Sequence, residues 1–104
     1  MDSILKNQQV KAKWFSLSIG EQISNIGSEV LRADKWKQRG DIIKMRGFYN
    51  AATSFLRLSI MDPRNKSITG ELNLCIDELA DYFIGDNKWQ TSSETLKRYY
   101  NSFL

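Results

Sequence analysis

Apolar residues recur every three or four positions through most of the chain, and this spacing predicts amphipathic helices. The clearest apolar face lies between residues 19 and 38 and consists of Ile19, Ile23, Ile26, Val30 and Ala33. Beside it runs a flank of mostly small residues that lets another helix approach closely, formed by Gly20, Ser24, Gly27 and Leu31. Ser18 and Glu21 have capping-box spacing at the start, and Gly40 lies beyond the end.

A second helix is predicted over about residues 42 to 61, because Asp41 is a suitable N-cap and Pro63 cannot continue a helix. More than half of its circumference is apolar, through Ile42, Met45, Phe48, Tyr49, Ala52, Phe55, Leu56 and Ile60. A helix that is apolar over so wide an arc contacts several neighbours. We therefore place it at the centre of a helical bundle.

Two further helices complete the predicted fold. The third runs from a cap at Ser67 to Gly85, and the fourth begins at a capping box formed by Thr91 and Glu94. The fourth helix directs four residues inward, namely Leu96, Tyr99, Tyr100 and Phe103. No segment has the composition and alternation of a strand. The sequence thus predicts an all-α, up-down four-helix bundle over residues 18–104.

Residues 1–17 are predicted to form a weakly ordered N-terminal arm. A helix over residues 1–13 would bury little, because few of its side chains are large and apolar. Trp14, Phe15 and Leu17 come together just before the first long helix. We expect these three side chains to close one end of the bundle.

The composition favours one small domain in a reducing compartment. The chain has 104 residues and one cysteine, Cys75, so it cannot form an internal disulfide. Cys75 lies on the apolar face of the third helix, where it is more typical of a small core residue than of a nucleophile. No apolar run reaches membrane-spanning length, and the first residues lack the pattern of a signal peptide. We expect a cytoplasmic protein that does not contact a membrane.

Candidate chemistry is limited by the absence of histidine, which excludes Ser-His-Asp triads and histidine-containing metal sites. The glycines are too dispersed for a phosphate-binding loop. Asp77 and Asp81 lie one turn apart and can in principle bind a divalent cation, although such pairs are usually solvated. We expect a non-catalytic protein without a cofactor or a metal.

Basic residues are concentrated where the first two long helices meet. Six basic and two acidic residues lie between positions 32 and 46, at a net charge of +3 for the whole chain. This stretch is a candidate surface for RNA or DNA, with Arg32, Lys35, Trp36, Arg39 and Arg46 as its candidate residues. A purely structural role fits the same residues, since basic side chains near a helix C-terminus also complement the helix dipole. Trp36 likewise fits a partly buried residue at the edge of the core.

The outer side of the third helix carries the opposite charge, through Glu71, Asp77, Glu78 and Asp81. Leu74 projects among these acidic residues, which indicates a protein contact. Complementary charged patches on one chain favour self-association. The residues therefore predict a binding or assembly module that acts through protein association, with a partner protein or as a homo-oligomer. Nucleic-acid binding by the basic stretch is the alternative.

Two resemblances accompany this prediction. Ala51, Phe55 and Pro63 have the spacing of the second helix of a tetratricopeptide repeat, but the pattern does not recur at a period of about 34 residues. The four helices, with the segment at residues 24–29, resemble small bacterial bundles of the HEPN and ribosomal-RNA intervening-sequence kind. The HEPN ribonucleases use an arginine followed by a histidine, which is absent here. The resemblance therefore implies a non-catalytic member that binds a protein or a nucleic acid.

Overall fold

The computed structural model describes residues 7–102. In chain order the elements are α1 (Gln8–Ser16), α2 (Ile19–Gln38), α3 (Ile42–Met61), a 3₁₀ helix (Pro63–Ile68), α4 (Thr69–Phe83) and α5 (Ser93–Asn101). Within residues 7–102 there is no strand, so the predicted all-α class is confirmed. This part of the chain has five α-helices where four were predicted, and the additional helix is α1.

The helices α2 and α3 form a hairpin with the bounds that the sequence predicted. The Ser18 hydroxyl accepts a hydrogen bond from the Glu21 N–H at 3.1 Å, and the Glu21 carboxylate accepts one from the Ser18 N–H at 2.9 Å. Between the helices, Gly40 has a positive φ of 77°, which a residue without a β-carbon adopts readily. Asp41 then caps α3 by accepting a hydrogen bond from the Lys44 N–H. Local caps and the turn thus fix the hairpin.

The core lies between this hairpin and the helices α4 and α5. Its fully buried large aliphatic residues are Ile26, Val30, Leu56, Leu58, Leu79 and Leu96. As predicted for a central helix, α3 packs against both α2 and α4. Ile42 was expected in this core and is instead 62% exposed. The reason is that the first turn of α3 lies at the end of the hairpin, where α4 ends at Phe83 and leaves Ile42 uncovered.

The helix α1 corrects the expectation of a weakly ordered arm for residues 8–16. The Asn7 side chain caps this helix by accepting hydrogen bonds from the N–H groups of Gln9 and Val10. Trp14 is only 4% exposed and stacks on Phe55, with 4.4 Å between the ring centroids. Burial of the Trp14 side chain supplies the packing that the preceding residues lack, and it places Trp14 at one end of the fold as expected. Residues 1–6 of the predicted arm lie outside the described residues.

A buried hydrogen-bond network ties α1, α2, α3 and the 3₁₀ helix together. Its central member is Gln22, whose amide nitrogen donates to the Trp14 carbonyl at 3.1 Å and to the Asp62 carboxylate at 3.0 Å. The Gln22 carbonyl oxygen accepts from the Ser59 hydroxyl at 2.9 Å and from the Asn65 amide at 3.1 Å. Because Gln22 is fully buried, each of these bonds offsets the loss of water at a polar atom.

The connection between α3 and α4 also holds α1 in place. Arg64 donates to the Asp62 carboxylate at 2.6 Å and to the backbone carbonyls of Phe15 and Leu17 at 3.1 and 2.7 Å. The hydrogen bonds that Arg64 donates to the Asp62 carboxylate lower the pKa of Asp62 to about 2. The pair therefore joins the start of the 3₁₀ helix to the end of α1.

Two predicted helix starts are wrong. A 3₁₀ helix precedes α4, which begins at Thr69 without a side-chain cap, so Ser67 is not its N-cap. The capping box of α5 is formed by Ser92 and Thr95. Thr91 does not cap α5, because its hydroxyl donates to Glu78 at 3.0 Å. Of the residues predicted to face inward on α5, Leu96 and Tyr100 are buried and Tyr99 is partly exposed. The fourth, Phe103, lies outside the described residues.

Candidate functional site

Three cations surround the ring of Trp36 at the end of the α2–α3 hairpin. The side-chain nitrogens of Lys35 and Lys44 lie 5.3 and 4.2 Å from the ring centroid, and the guanidinium carbon of Arg39 lies 5.2 Å from it. These distances permit cation–π attraction. Within residues 7–102, none of the three cations takes part in an ion pair. We call these four residues the Trp36 cluster.

Trp36 itself is half-buried and packs against the core, in agreement with its prediction as a residue at the core's edge. Lys35, Trp36 and Arg39 come from the last turns of α2 and its C-cap, and Lys44 comes from the first turn of α3. The cations already contact the indole ring, so a nucleic-acid base can stack on Trp36 only by displacing them. The cluster is therefore better suited to contact phosphate groups than to stack on bases.

The remaining basic candidates do not belong to this cluster. Arg32 pairs with Glu29, one turn earlier on α2, at 2.8 Å. Arg46 borders a separate cleft of about 300 Å³ at the hairpin end, which is lined by Lys37, Gly40, Ile42, Met45, Arg46, Phe83 and Ile84. Of the five residues predicted for the basic stretch, three therefore belong to the Trp36 cluster, namely Lys35, Trp36 and Arg39. Arg46 borders the separate cleft, and Arg32 forms an ion pair.

The mouth of this hairpin-end cleft combines apolar and basic side chains. Of the residues that line the cleft, Ile42 and Ile84 are largely exposed, and Ile43, which follows Ile42 in the first turn of α3 but does not line the cleft, is 86% exposed. We call the group formed by Lys37, Ile42, Ile43, Arg46 and Ile84 the hairpin-end surface. These neighbouring exposed aliphatic side chains make this end of the hairpin a candidate contact surface.

Leu74 lies in a different cleft, of about 250 Å³, between α4, α5 and the loop that joins them. We call it the α4–α5 cleft, and it is lined by Glu71, Leu74, Cys75, Glu78, Trp89 and Tyr99. Leu74 is 60% exposed and Trp89 is 53% exposed. Among the described residues, none of those that line this cleft is basic. Its exposed apolar side chains are thus bordered by the carboxylates of Glu71 and Glu78.

Hydrogen bonds hold the loop that carries Trp89. The Asp81 carboxylate accepts from the N–H groups of Lys88 and Trp89 at 2.8 and 3.0 Å. The Asn87 side chain exchanges two hydrogen bonds of 2.9 Å with the backbone of Thr91, and its own φ of 53° is one that asparagine tolerates. Asp81, a possible cation ligand by its spacing, is therefore used to position the loop.

The opposite wall of the cleft is held through Tyr99. Its hydroxyl donates to the Glu71 carboxylate at 2.8 Å and lies 3.6 Å from the Cys75 sulfur. Burial, together with these two neighbours, raises the pKa of Tyr99, so the hydroxyl keeps its proton and remains a donor. Burial also raises the pKa of Cys75, which keeps it a thiol and a poor nucleophile. Of the described residues that line the cleft, neither Cys75 nor Tyr99 is therefore an activated nucleophile.

The chain matches no protein-family model, and no curated protein or solved structure is detectably similar to it. Within residues 7–102, no helix combines the length and the apolar character needed to cross a membrane. In the same part of the chain, no three cysteine, aspartate or glutamate side chains converge as metal ligands do.

Sequence reasoning found Leu74 but missed its neighbours in the cleft, Trp89 and Tyr99. Trp89 follows a turn, and its position depends on hydrogen bonds to Asp81 that no local pattern reveals. The exposure of Ile42 was missed because periodicity assigns a face to a helix without showing where the covering helix ends.

Proposed function

We propose that this protein is a non-catalytic helical module that associates with protein through the α4–α5 cleft. The observation that carries the proposal is the exposure of Leu74 and Trp89 in one cleft, which the carboxylates of Glu71 and Glu78 also line. Tryptophan and tyrosine are enriched among the residues that dominate binding energy at interfaces. The walls of the cleft are already held by hydrogen bonds, so binding would cost little conformational entropy.

The chemistry of the cleft also indicates what kind of partner it would bind. Its apolar side chains favour an apolar contact, and its carboxylates favour a lysine or arginine beside that contact. A partner segment with exposed aliphatic residues flanked by basic ones meets both requirements. We therefore propose a protein surface of that composition as the partner.

The proposal also includes an architecture and a cellular compartment. We propose that α2 to α5 form an up-down four-helix bundle and that α1 packs against one end of it. We also propose that the protein is cytoplasmic, because a lone cysteine stays reduced in that compartment. A relationship to the HEPN-type bundles would place this chain among their non-catalytic members, because it has no histidine.

Site-specific photo-crosslinking tests the proposed function. A photoreactive amino acid replaces Leu74 in one variant and Lys97 in a control variant, since Lys97 is exposed on α5 but does not line the cleft. In cells that produce the protein, we expect protein adducts from position 74 and few from position 97. Adding Trp89→Ala to the position-74 variant should remove the adducts. Equal labelling from both positions, or none from position 74, would contradict the proposal.

Nucleic-acid binding is the second candidate, and the observation that favours it is the lack of ion pairs in the Trp36 cluster within residues 7–102. The nearby acidic residues are engaged elsewhere: Glu29 pairs with Arg32, Asp41 caps α3, and Asp34 is buried and accepts a hydrogen bond from Tyr82. The cations can therefore attract phosphate groups. The net charge of only +3 makes this function second to protein association.

A further inference from the structure

We infer that the partner of the α4–α5 cleft is the hairpin-end surface of a second copy of this chain. This inference rests on the proposed function and adds the identity of the occupant. Both surfaces lie on the same molecule and carry apolar side chains, and their charges are opposite: basic at the hairpin end and acidic in the cleft.

The hairpin-end surface supplies what the cleft requires. Ile42 and Ile43 form an exposed aliphatic pair at the first turn of α3, and they are 62% and 86% exposed. Lys37 and Arg46 border the same end of the hairpin. The surface therefore presents aliphatic side chains together with basic ones, as the composition of the cleft demands.

The cleft supplies the complementary groups. The isoleucine pair would contact Leu74 and Trp89, which removes exposed apolar area from water on both molecules. The basic side chains would then face Glu71 and Glu78. Opposite charges at the rim of an interface chiefly set its orientation and its rate of formation, whereas the apolar contact provides most of the affinity.

One molecule cannot bring its own two surfaces together. Glu71, Leu74 and Glu78 lie along α4, whereas Ile84 lies just beyond the end of the same helix. Ten residues of a rigid helix separate Leu74 from Ile84 by about 15 Å. The contact must therefore form between molecules, and each molecule uses two different surfaces. Such a heterologous contact produces a head-to-tail assembly that either closes into a ring or extends.

Two single substitutions test this arrangement. Leu74→Arg blocks the cleft, and Ile43→Glu blocks the hairpin-end surface; both side chains are exposed, so the fold should persist, as circular dichroism can verify. Light scattering should show that the mass of the wild-type protein rises with concentration. Each variant alone should associate at least about tenfold more weakly. Met61→Glu is the matched control, because Met61 is also exposed on α3 but at its opposite end.

Mixing the two variants gives the decisive measurement. Ile43→Glu retains an intact cleft and Leu74→Arg retains an intact hairpin-end surface, so the equimolar mixture should form a one-to-one heterodimer. If the mixture contains only monomers, or if Ile43→Glu associates as well as the wild type, the inference is overturned.

A wild-type protein that stays monomeric at every concentration would also overturn the inference. The proposed function would then survive if the crosslinker at position 74 labels a different protein. It would fail as well if that position labels no protein at all.

Discussion

A β-carbon added to Gly27 would lie 2.8 Å from the β-carbon of Tyr100, so these two residues bring α2 and α5 into backbone-level contact. Both residues are buried. The sequence indicated a flank of small residues on α2 that allows such an approach, and the structure identifies α5 as the helix that uses it. Gly27 is the glycine of this flank at which an added methyl group would meet another helix.

Gly27→Ala should therefore destabilise the fold by roughly 1 to 3 kcal/mol, because the added methyl group forces α5 to shift. Alanine's better helix propensity offsets only about 1 kcal/mol of this cost. Urea unfolding measures the change. Gly47→Ala is the matched control, because a β-carbon at this exposed position of α3 would meet nothing within 4 Å. The control should gain up to about 1 kcal/mol, and equal responses at the two glycines would contradict the packing described here.

Two tryptophan substitutions should differ strongly in their effect on stability. Trp14→Ala should cost about 3 to 5 kcal/mol, because it empties a buried site and leaves Phe55 without its stacking partner. It also removes the hydrogen bond from the indole N–H to the Ser59 hydroxyl. Trp89→Ala, at a half-exposed position, should change the free energy of unfolding by about 0.5 kcal/mol or less. A small effect at Trp14 would show that α1 is not part of the cooperative fold.

The hairpin could be predicted from the sequence because its signals are local. The Ser18 capping box, the Gly40 turn and the Asp41 cap each act within a few residues, and all three occur in the structure. The helix α1 could not be predicted in the same way. Its burial depends on contacts between Trp14 and α3, which lies far away along the chain.

The same distinction between local and distant contacts explains which features of the core and of the candidate sites could be predicted from the sequence. Leu74 was recognisable because an exposed leucine among acidic residues violates the helix pattern. Phe55 was expected deep in the core but is half-buried: one face of its ring stacks on Trp14 of α1, and the side chain also lines a cleft at the edge of the bundle. The division of the basic stretch was also not predictable, because charge counting does not show that Arg32 pairs with Glu29 or that Lys44 lies over Trp36.

The buried Asp62 carboxylate should make stability fall in acid. Its ionised form is stabilised by Arg64, which lowers its pKa from 3.8 to about 2, so it binds a proton less readily in the folded state than in the unfolded state. This contribution is fully present above about pH 4 and is lost as the pH falls toward about 2. Asp62→Asn should therefore be less stable than the wild type at about pH 6.

Urea midpoints measured between about pH 6 and pH 2 check the role of Asp62. The difference between the wild type and Asp62→Asn should shrink through the interval from about pH 4 to pH 2. Comparing the two proteins at each pH removes the effect of the other carboxylates, which titrate in both. A difference that stays constant with pH would show that the Asp62–Arg64 pair does not stabilise the fold in the way described.

The Trp36 cluster makes a separate prediction for nucleic acids. If Lys35 and Arg39 contact phosphates, single-stranded RNA should bind with an affinity that falls steeply with salt, because binding releases condensed counterions. Reversing both charges, in Lys35→Glu/Arg39→Glu, should flatten the logarithmic salt dependence by roughly 1.4, at about 0.7 per phosphate contact. Lys97→Glu/Arg98→Glu changes the net charge equally at exposed positions on α5, so it controls for net charge.

A substitution of Trp36 distinguishes binding through phosphate contacts from binding through base stacking. Stacking contributes about 1 to 3 kcal/mol per base at a true platform, but here three cations already contact the ring. Trp36→Phe, which keeps an aromatic side chain at the edge of the core, should therefore change RNA affinity little while Lys35→Glu/Arg39→Glu lowers it strongly. Fluorescence anisotropy with labelled RNA at low salt measures both variants. Equal flattening by the control pair on α5 would assign any binding to net charge, and no binding of the wild type at low salt would exclude this function.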